Sequence, residues 1–334
     1  MTGDITVIIP NWNGGSRLER TLQSVASQSL APRSVIVIDD ASTDDSPLAA
    51  ERAGAEVIRL ARNSGFSHAV NTGVRAAATS WVFILNNDVI LDDDCLNVLL
   101  GAAQSAAVTF AAPKLRSLRE PGHLDGSFDL LARSGCAWRA GHGQPESGEF
   151  FTSAPVQFVP LTAALIDRQV FLETGCLEER FETYLEDVEL FLRYALLGHS
   201  GLYVQDALAW HEGSATHGAW SPRMVQLIAR NQLLLVARHW PRNWFVRYGW
   251  PVVAGQLLWG LLACQRGAGG AWLKGKWAGL RMFSEFRSGH TPADPIAFER
   301  ILTASESRLR QLQKAFGPER FWSAYFLCVP EGRP

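Results

Sequence analysis

Three short polar clusters carry the candidate chemistry of this chain: Pro10-Asn11-Trp12-Asn13, Asp39-Asp40 and Asn86-Asn87-Asp88. Each follows directly on an apolar, strand-like run. A carboxylate in such a place can accept a hydrogen bond from the imide N–H of uracil or thymine, and an aromatic ring can stack on the base. A carboxylate at a later strand end can hold Mg2+ or Mn2+, which keeps several waters and bridges substrate phosphates. Asp, Asn and Gly are also ordinary turn formers and helix caps, so one cluster alone would mean little. Three on successive strand ends point to a ligand site.

Further along, Tyr184-Leu-Glu-Asp-Val-Glu-Leu-Phe-Leu-Arg193 opens a helix with acids. Glu186 and Asp187 fall in its first turn, where exposed amides favour the ionised form. The ordinary alternative is a capping acid on a helix braced by a Glu189–Arg193 i,i+4 pair, and capping is compatible with catalysis. His211 closes a strand-like run from Tyr203 to Trp210.

The elements that position these residues alternate regularly. Strands are predicted over 5–9, 34–38, 56–60 and 81–85. Helices open near Ser16, near Ser46 and after Ser64-Gly65, the first with Leu18, Leu22 and Val25 on one face. Such alternation predicts an α/β domain with a mostly parallel sheet, whose ligands sit beyond the carboxyl ends of the strands. Residues 111–157 show no clear period and read as hairpins or loops. A strand over 158–166, a helix from Asp167 and a helix over 186–197 follow.

Composition narrows the function. The chain has 334 residues, 47% hydrophobic, with a net charge of −2, which argues against bulk nucleic-acid binding. Five scattered cysteines form no CxxC pair, so neither a disulfide framework nor a zinc knuckle is expected. The start of the chain shows no basic region of a signal peptide, which predicts a cytoplasmic protein. No G-x-G-x-x-G follows the first strand and no Walker A motif occurs. A bound diphosphate would therefore need a cation to neutralise it.

The sequence resembles the inverting family 2 glycosyltransferases of GT-A fold, in particular bacterial rhamnosyltransferase-like members. The resemblance rests on Val7-Ile-Ile-Pro-Asn-Trp-Asn13, Val37-Ile-Asp-Asp-Ala-Ser-Thr-Asp44, Arg62-Asn-Ser-Gly-Phe-Ser-His-Ala-Val-Asn-Thr-Gly73 and Phe83-Ile-Leu-Asn-Asn-Asp88, and spans about residues 5–217. It implies a Rossmann-like nucleotide-binding half over 1–110, an acceptor and catalytic-base half over 111–218, and a C-terminal region over 219–334. In it Asp40 would contact the base, with Pro10, Asn11, Trp12 and Asn13 beside it, while Asn63 and Asn71 would line the nucleotide-sugar pocket with Asn86 and Asn87. Asp88 would bind the Mg2+ or Mn2+ ion, with His211 as a second ligand, and Asp187 would be the catalytic base. Asn86 replaces the first acid of the family's metal-binding segment, so one carboxylate rather than two is implied, and the ion would be held firmly only with donor present. His217 would approach the diphosphate. The implied reaction moves one sugar from a nucleotide-diphosphate sugar, with dTDP-rhamnose the first guess, to a glycan or lipid-linked glycan hydroxyl in cell-surface polysaccharide synthesis.

Two rival functions bear on the same residues. A non-catalytic nucleotide-sugar-binding module would be favoured by loss of Asp88 or Asp187, and both are present. A nucleotidyltransferase would need a Gly-rich, Arg/Lys-bearing loop after the first strand, and the chain has none. The C-terminal region is distinctive. Between Arg223 and Arg287 lie ten Lys/Arg residues and one acid, Glu285, and seven of the twelve tryptophans fall between Trp220 and Trp277. The apolar run from Pro251 to Ala263 is too short to span a bilayer. Its basic and aromatic neighbours predict a peripheral helix on the inner face of the membrane; the competing expectation is packing on protein.

Overall fold

Strand β1 (Thr2–Asn11) begins the fold, and its Ile5, Val7, Ile8 and Ile9 are all completely buried. A nearly continuous apolar run of this kind suits a strand covered on both faces. The structure is a computed structural model and describes residues 2–146, 148–213, 220–288 and 294–330. It divides into two units, one of Met1–Asp129 with Gly141–Ala215, the other of Leu130–Ala140 with Thr216–Pro334.

In the first unit β1 is followed by α1 (Gly15–Ala26), β2 (Ala31–Asp39), α2 (Ser46–Arg52), β3 (Glu56–Arg59), α3 (Phe66–Ala76) and β4 (Trp81–Leu85). Then come β5 (Val89–Leu91), α4 (Cys95–Ala106), β6 (Phe110–Ser117) and β7 (Leu124–Gly126). The hairpin β8 (Asp129–Leu131) and β9 (Ala137–Arg139) lies mostly in the second unit. The chain returns through β10 (Ala154–Val156), β11 (Ala163–Asp167), α5 (Arg168–Glu173), α6 (Glu186–Leu196) and β12 (Gly201–His211). The sheet order is β10-β12-β6-β11-β4-β1-β2-β3, with β5 added to β12 and β7 to β6. Strands β4, β1, β2 and β3 are parallel neighbours, as expected for the first half. Strand β11 then runs antiparallel to both β4 and β6, while β12 and β6 are parallel. Leu18, Leu22 and Val25 of α1 join Leu96, Leu99 and Ala103 of α4 in the core against β1 and β4.

The strand expected over 158–166 is shorter, because only Ala163–Asp167 pairs with β4; the helix after it is capped by the Asp167 carboxylate, which accepts from Val170 N at 3.1 Å. The three-residue strands β7 to β10 explain why 111–157 shows no period. Such pieces are too short for an alternating pattern to register.

The second unit adds α7 (Pro222–His239), α8 (Trp244–Arg247), α9 (Gly249–Gln265), α10 (Gly269–Ser288), α11 (Pro295–Phe316) and α12 (Arg320–Cys328) to the β8–β9 hairpin. Helix α10 lies on α7 through Gly275 and Gly279. A Cβ on Gly275 would come within 2.3 Å of the Gln226 carbonyl, so no larger residue allows this approach. Trp240 sits edge-on to Phe298 with ring centres 5.0 Å apart and donates to the Arg133 carbonyl at 3.2 Å. No helix among the described residues is long and apolar enough to cross a membrane. All five cysteines are free; Cys95, Cys136 and Cys176 are buried.

Candidate active site

The polar clusters converge because neighbouring parallel strands end together. Asn11, at the end of β1, is buried and fully engaged. Its Nδ2 donates to Ser46 Oγ at 2.9 Å and Ser42 Oγ at 3.3 Å, and its Oδ1 accepts from Asn87 Nδ2 at 2.9 Å. The loops after β1, β2 and β4 are thus tied by one side chain. Gly14 leaves room for it: a Cβ there would lie 2.2 Å from Asn11 Oδ1 and 2.9 Å from Asn87 Nδ2. Asn13 takes a left-handed backbone, and its Oδ1 accepts from Thr43 N at 2.8 Å. Pro10 is half-buried and the Trp12 ring is exposed, free to stack.

Asp40 accepts from Ser64 N at 2.7 Å and Gly65 N at 2.8 Å, one bond to each carboxylate oxygen. Burial pushes its carboxyl up, and these two bonds pull the other way. The side chain holds the loop before α3, and each oxygen keeps a second lone pair for a ligand. That loop meets the segment before α6. Gly65 approaches Glu182, and Ser67 N donates to the Glu182 carbonyl at 3.0 Å. Asn63 is exposed in this loop. Asn71, expected to line the donor pocket, is buried with its amide held by the protein. Its amide donates to the Leu177 carbonyl at 2.9 Å and Glu179 Oε1 at 3.0 Å, and accepts from Leu177 N at 2.9 Å. A side chain that spends both N–H groups this way braces α3 and has none left for a sugar. His68 Nδ1 meets the same Glu179 at 2.8 Å.

Sheet register brings the expected metal residues together. Val89 of β5 pairs with His211 of β12, which sets Asp88 beside the histidine. Asp88 Oδ1 lies 3.2 Å from His211 Nε2, and His211 Nδ1 lies 2.7 Å from Asp125 Oδ2. All three residues are buried. Burial opposes charge on the imidazole, yet hydrogen bonds to Asp125 and Asp88 lift it to about 9; a cation held at Nε2 would take the place of the proton there. Asp125, on β7, was not singled out from the sequence. It stands in the stretch without period, and its partner is 86 residues away. Asn86 N donates to the Thr162 carbonyl at 2.9 Å, fixing the turn ahead of Asp88. Among the described residues no three His, Cys, Asp or Glu side chains converge on one point as a ready-made metal cage.

Asp187 and Glu186 are buried in the first turn of α6. The backbone ahead of them is strained, with Glu182, Tyr184 and Leu185 at φ of 63°, 69° and 67°. Bulky residues in this region are uncommon and cluster at functional sites. The expected Glu189–Arg193 pair forms at 2.7 Å, and Arg193 Nη2 also donates to the Cys176 carbonyl at 2.6 Å. His217 lies outside the described residues.

Residues 6–171 match the family described as Glycosyl transferase family 2. The chain belongs to this family. It is 26% identical over 247 residues to N-acetylglucosaminyl-diphospho-decaprenol L-rhamnosyltransferase of Mycobacterium tuberculosis, an alignment that covers 65% of this chain and 79% of that protein. Pre-mycofactocin glycosyltransferase of the same organism is 28% identical over 223 residues, 66% of this chain and 45% of that one. Among solved structures, GalNAc-T7 with UDP, GalNAc and Mn2+ superposes with a TM-score of 0.62 at 16% identity, over 94% of this chain and 58% of that one. The Pyrobaculum calidifontis mannosyltransferase PcManGT with GDP-Man and Mn2+ does so at 0.53 and 16%, over 97% and 86%. These likenesses establish the GT-A fold. The family 2 glycosyltransferase is therefore a transferase enzyme with rhamnosyltransferase-like relatives.

Proposed function

We propose that this glycosyltransferase moves a sugar from a nucleoside-diphosphate sugar to a glycan hydroxyl by single displacement with inversion. The observation that carries the reading is the Asp88–His211–Asp125 row at the ends of the strands, next to the loops tied by Asn11 and Asp40. The donor proposed first is dTDP-rhamnose and the acceptor a lipid-linked glycan, in keeping with the M. tuberculosis rhamnosyltransferase that aligns with this chain.

A divalent cation fits the residues present. Asp88 Oδ1 and His211 Nε2, 3.2 Å apart, stand close to the separation of about 3 Å that adjacent ligands take in an octahedral site with bonds near 2.1 Å. Asp88 and His211 would hold the ion, with Asp125 orienting the ring in the way carboxylates orient metal-bound histidines. Mg2+ or Mn2+ there would supply Lewis-acid neutralisation of the leaving nucleoside diphosphate. Trp12 is exposed to stack on the base, and Asp40 keeps lone pairs for its imide N–H. Asp187 is the proposed base, taking the acceptor hydroxyl proton as the oxygen attacks the anomeric carbon. General-base help of this kind is worth about 10²–10⁴-fold.

Two measurements test this. Turnover of a panel of nucleotide sugars is expected to stop with EDTA and return with Mn2+ or Mg2+; equal turnover in EDTA would remove the metal from the scheme. Asp187→Asn is expected to lower kcat by about 10²-fold or more with donor affinity kept. Near-normal transfer by that variant would show that another group takes the proton.

A further inference from the structure

Helix α9 carries no charged residue from Gly249 to Gln265, yet one side of it is open to solvent. Trp250, Val253, Leu257 and Leu261 recur at helical spacing on that side, with Trp250 61% and Leu257 60% exposed. The opposite side, with Val252, Gly255, Gln256 and Ala263, is buried. A helix that is apolar all round is normally covered all round. The stripe continues a turn earlier at the exposed Phe245 and Val246 of α8. Helix α10 repeats the pattern with Leu273, Trp277 and Leu280, Trp277 being 59% exposed. Isolated surface leucines need no explanation, but nine large apolar side chains on three consecutive helices exceed what scattered exposure accounts for.

We propose that the exposed faces of α8, α9 and α10 dock on an anionic lipid surface. Charge selects this occupant. Arg242, Arg266, Lys274 and Arg281 are exposed around the apolar stripes and form no ion pair among the described residues. The Arg281 guanidinium lies 4.9 Å from the centre of the exposed Trp277 ring, and Arg266 lies 5.5 Å from that of Trp220. Arg and Trp side by side, with leucines between them, match the boundary of lipid headgroups and acyl chains. A second copy of the chain is the other candidate cover. It would bring the same cations face to face, since Glu285 is the one acid from Arg223 to Arg287. No helix among the described residues is long and apolar enough to cross a bilayer, so the helices would lie in the surface. Two apolar stripes with four cations resemble the paired signals that stable peripheral attachment needs.

Flotation of the full chain with vesicles tests the proposal, using phosphatidylcholine alone or phosphatidylcholine mixed with phosphatidylglycerol. The protein is expected to float with the mixed vesicles and to release at high salt. Lys274→Glu with Arg281→Glu is expected to lower the bound fraction about tenfold or more. Leu257→Ser, Leu261→Ser and Trp277→Ser together are expected to lower it similarly, with Tm unchanged because all three side chains are exposed. Should that triple variant fold poorly, hydrogen exchange of the wild-type chain decides. Vesicle-dependent protection confined to residues 244–283 supports docking, and its absence overturns it. Failure of the wild type to float, equal binding to neutral vesicles, or a dimer dispersed by the same substitutions without vesicle binding would each overturn it too. Donor turnover in vesicle-free buffer is read separately, so this surface stands or falls independently of the proposed chemistry.

Discussion

At the residue scale the centre of interest is His211, held on one side by Asp88 and on the other by Asp125. In the proposed metal site the ring nitrogen facing Asp125 could not also face an ion, so Asp125 would act through the histidine by fixing which nitrogen is presented. Carboxylates in that position commonly sustain metal affinity by about 10- to 100-fold. Asp125→Ala is therefore expected to raise the Mn2+ concentration for half-maximal activity by about that factor, with kcat at saturating Mn2+ much less affected. Titration of activity against Mn2+ checks it, and an unchanged requirement would leave Asp125 a structural residue. Asp88 could be singled out by its place at the end of a strand-like run, and His211 by the family resemblance; both remain proposed ligands. Asp125 could not, because its contribution depends on β7 pairing with β6 beside β12, a long-range event with no local signature. Asn71 shows the same dependence on distant partners. Its motif resembles a pocket segment, but its amide satisfies the backbone of Leu177, a partner 106 residues away.

At the element scale β1, β2 and β4 were readable because their apolar runs end on polar residues, and the short β3 because it follows in the same alternation. The helices of the second unit hide a different feature. Lys276 on α10 points inward and donates to the Ala229 carbonyl at 2.9 Å, to Gln232 Oε1 at 3.0 Å and to Gln256 Oε1. Three acceptors match the three donors of an ammonium, but burial still pushes its pKa down to about 7. Released into solvent on unfolding, the lysine would titrate at about 10.4. Between these values the unfolded chain binds more protons than the folded one, so this lysine makes stability rise with pH across that window. The contribution is absent below about pH 7, where both states are charged. Lys276→Met removes the slope, whatever constant cost it brings by leaving the glutamine oxygens unpaired. Denaturant unfolding of both proteins over this range is expected to show wild type gaining on the variant as pH rises, up to about pH 10. Parallel pH profiles would mean that the ammonium stays charged throughout.

At the scale of the whole molecule, the second unit takes in residues 130–140, far earlier in the sequence than the C-terminal region it joins. Leu131 N donates to Ser305 Oγ at 2.7 Å, and Trp138 Nε1 donates to Glu319 Oε1 at 2.6 Å. Arg133 pairs with Glu306, whose side chain is 2% exposed and also accepts from Tyr325 Oη at 2.8 Å. Nothing in residues 130–140 announces this, since the pairing residues lie some 170 positions on. The C-terminal helices are therefore not a detachable tail. A chain ending at Gly213 would keep the hairpin but lose Ser305, Glu306 and Glu319, leaving Leu130, Leu131 and Trp138 without cover and Arg133 without its acids. Breaking one such buried ion pair from a single side costs about 3–5 kcal/mol, and the truncation strips the hairpin of several partners at once. The shortened chain is expected to bind the dye ANS and to be cut by protease within 130–140, while the full chain resists both. In the full chain, Arg133→Met is expected to lower stability by about 3 kcal/mol or more, because Glu306 then stays buried without its cation. A truncated chain as protease-resistant as the whole would show that the hairpin holds its form alone, and membrane tests could then use it; until that result, point substitutions on the exposed faces are the cleaner instrument.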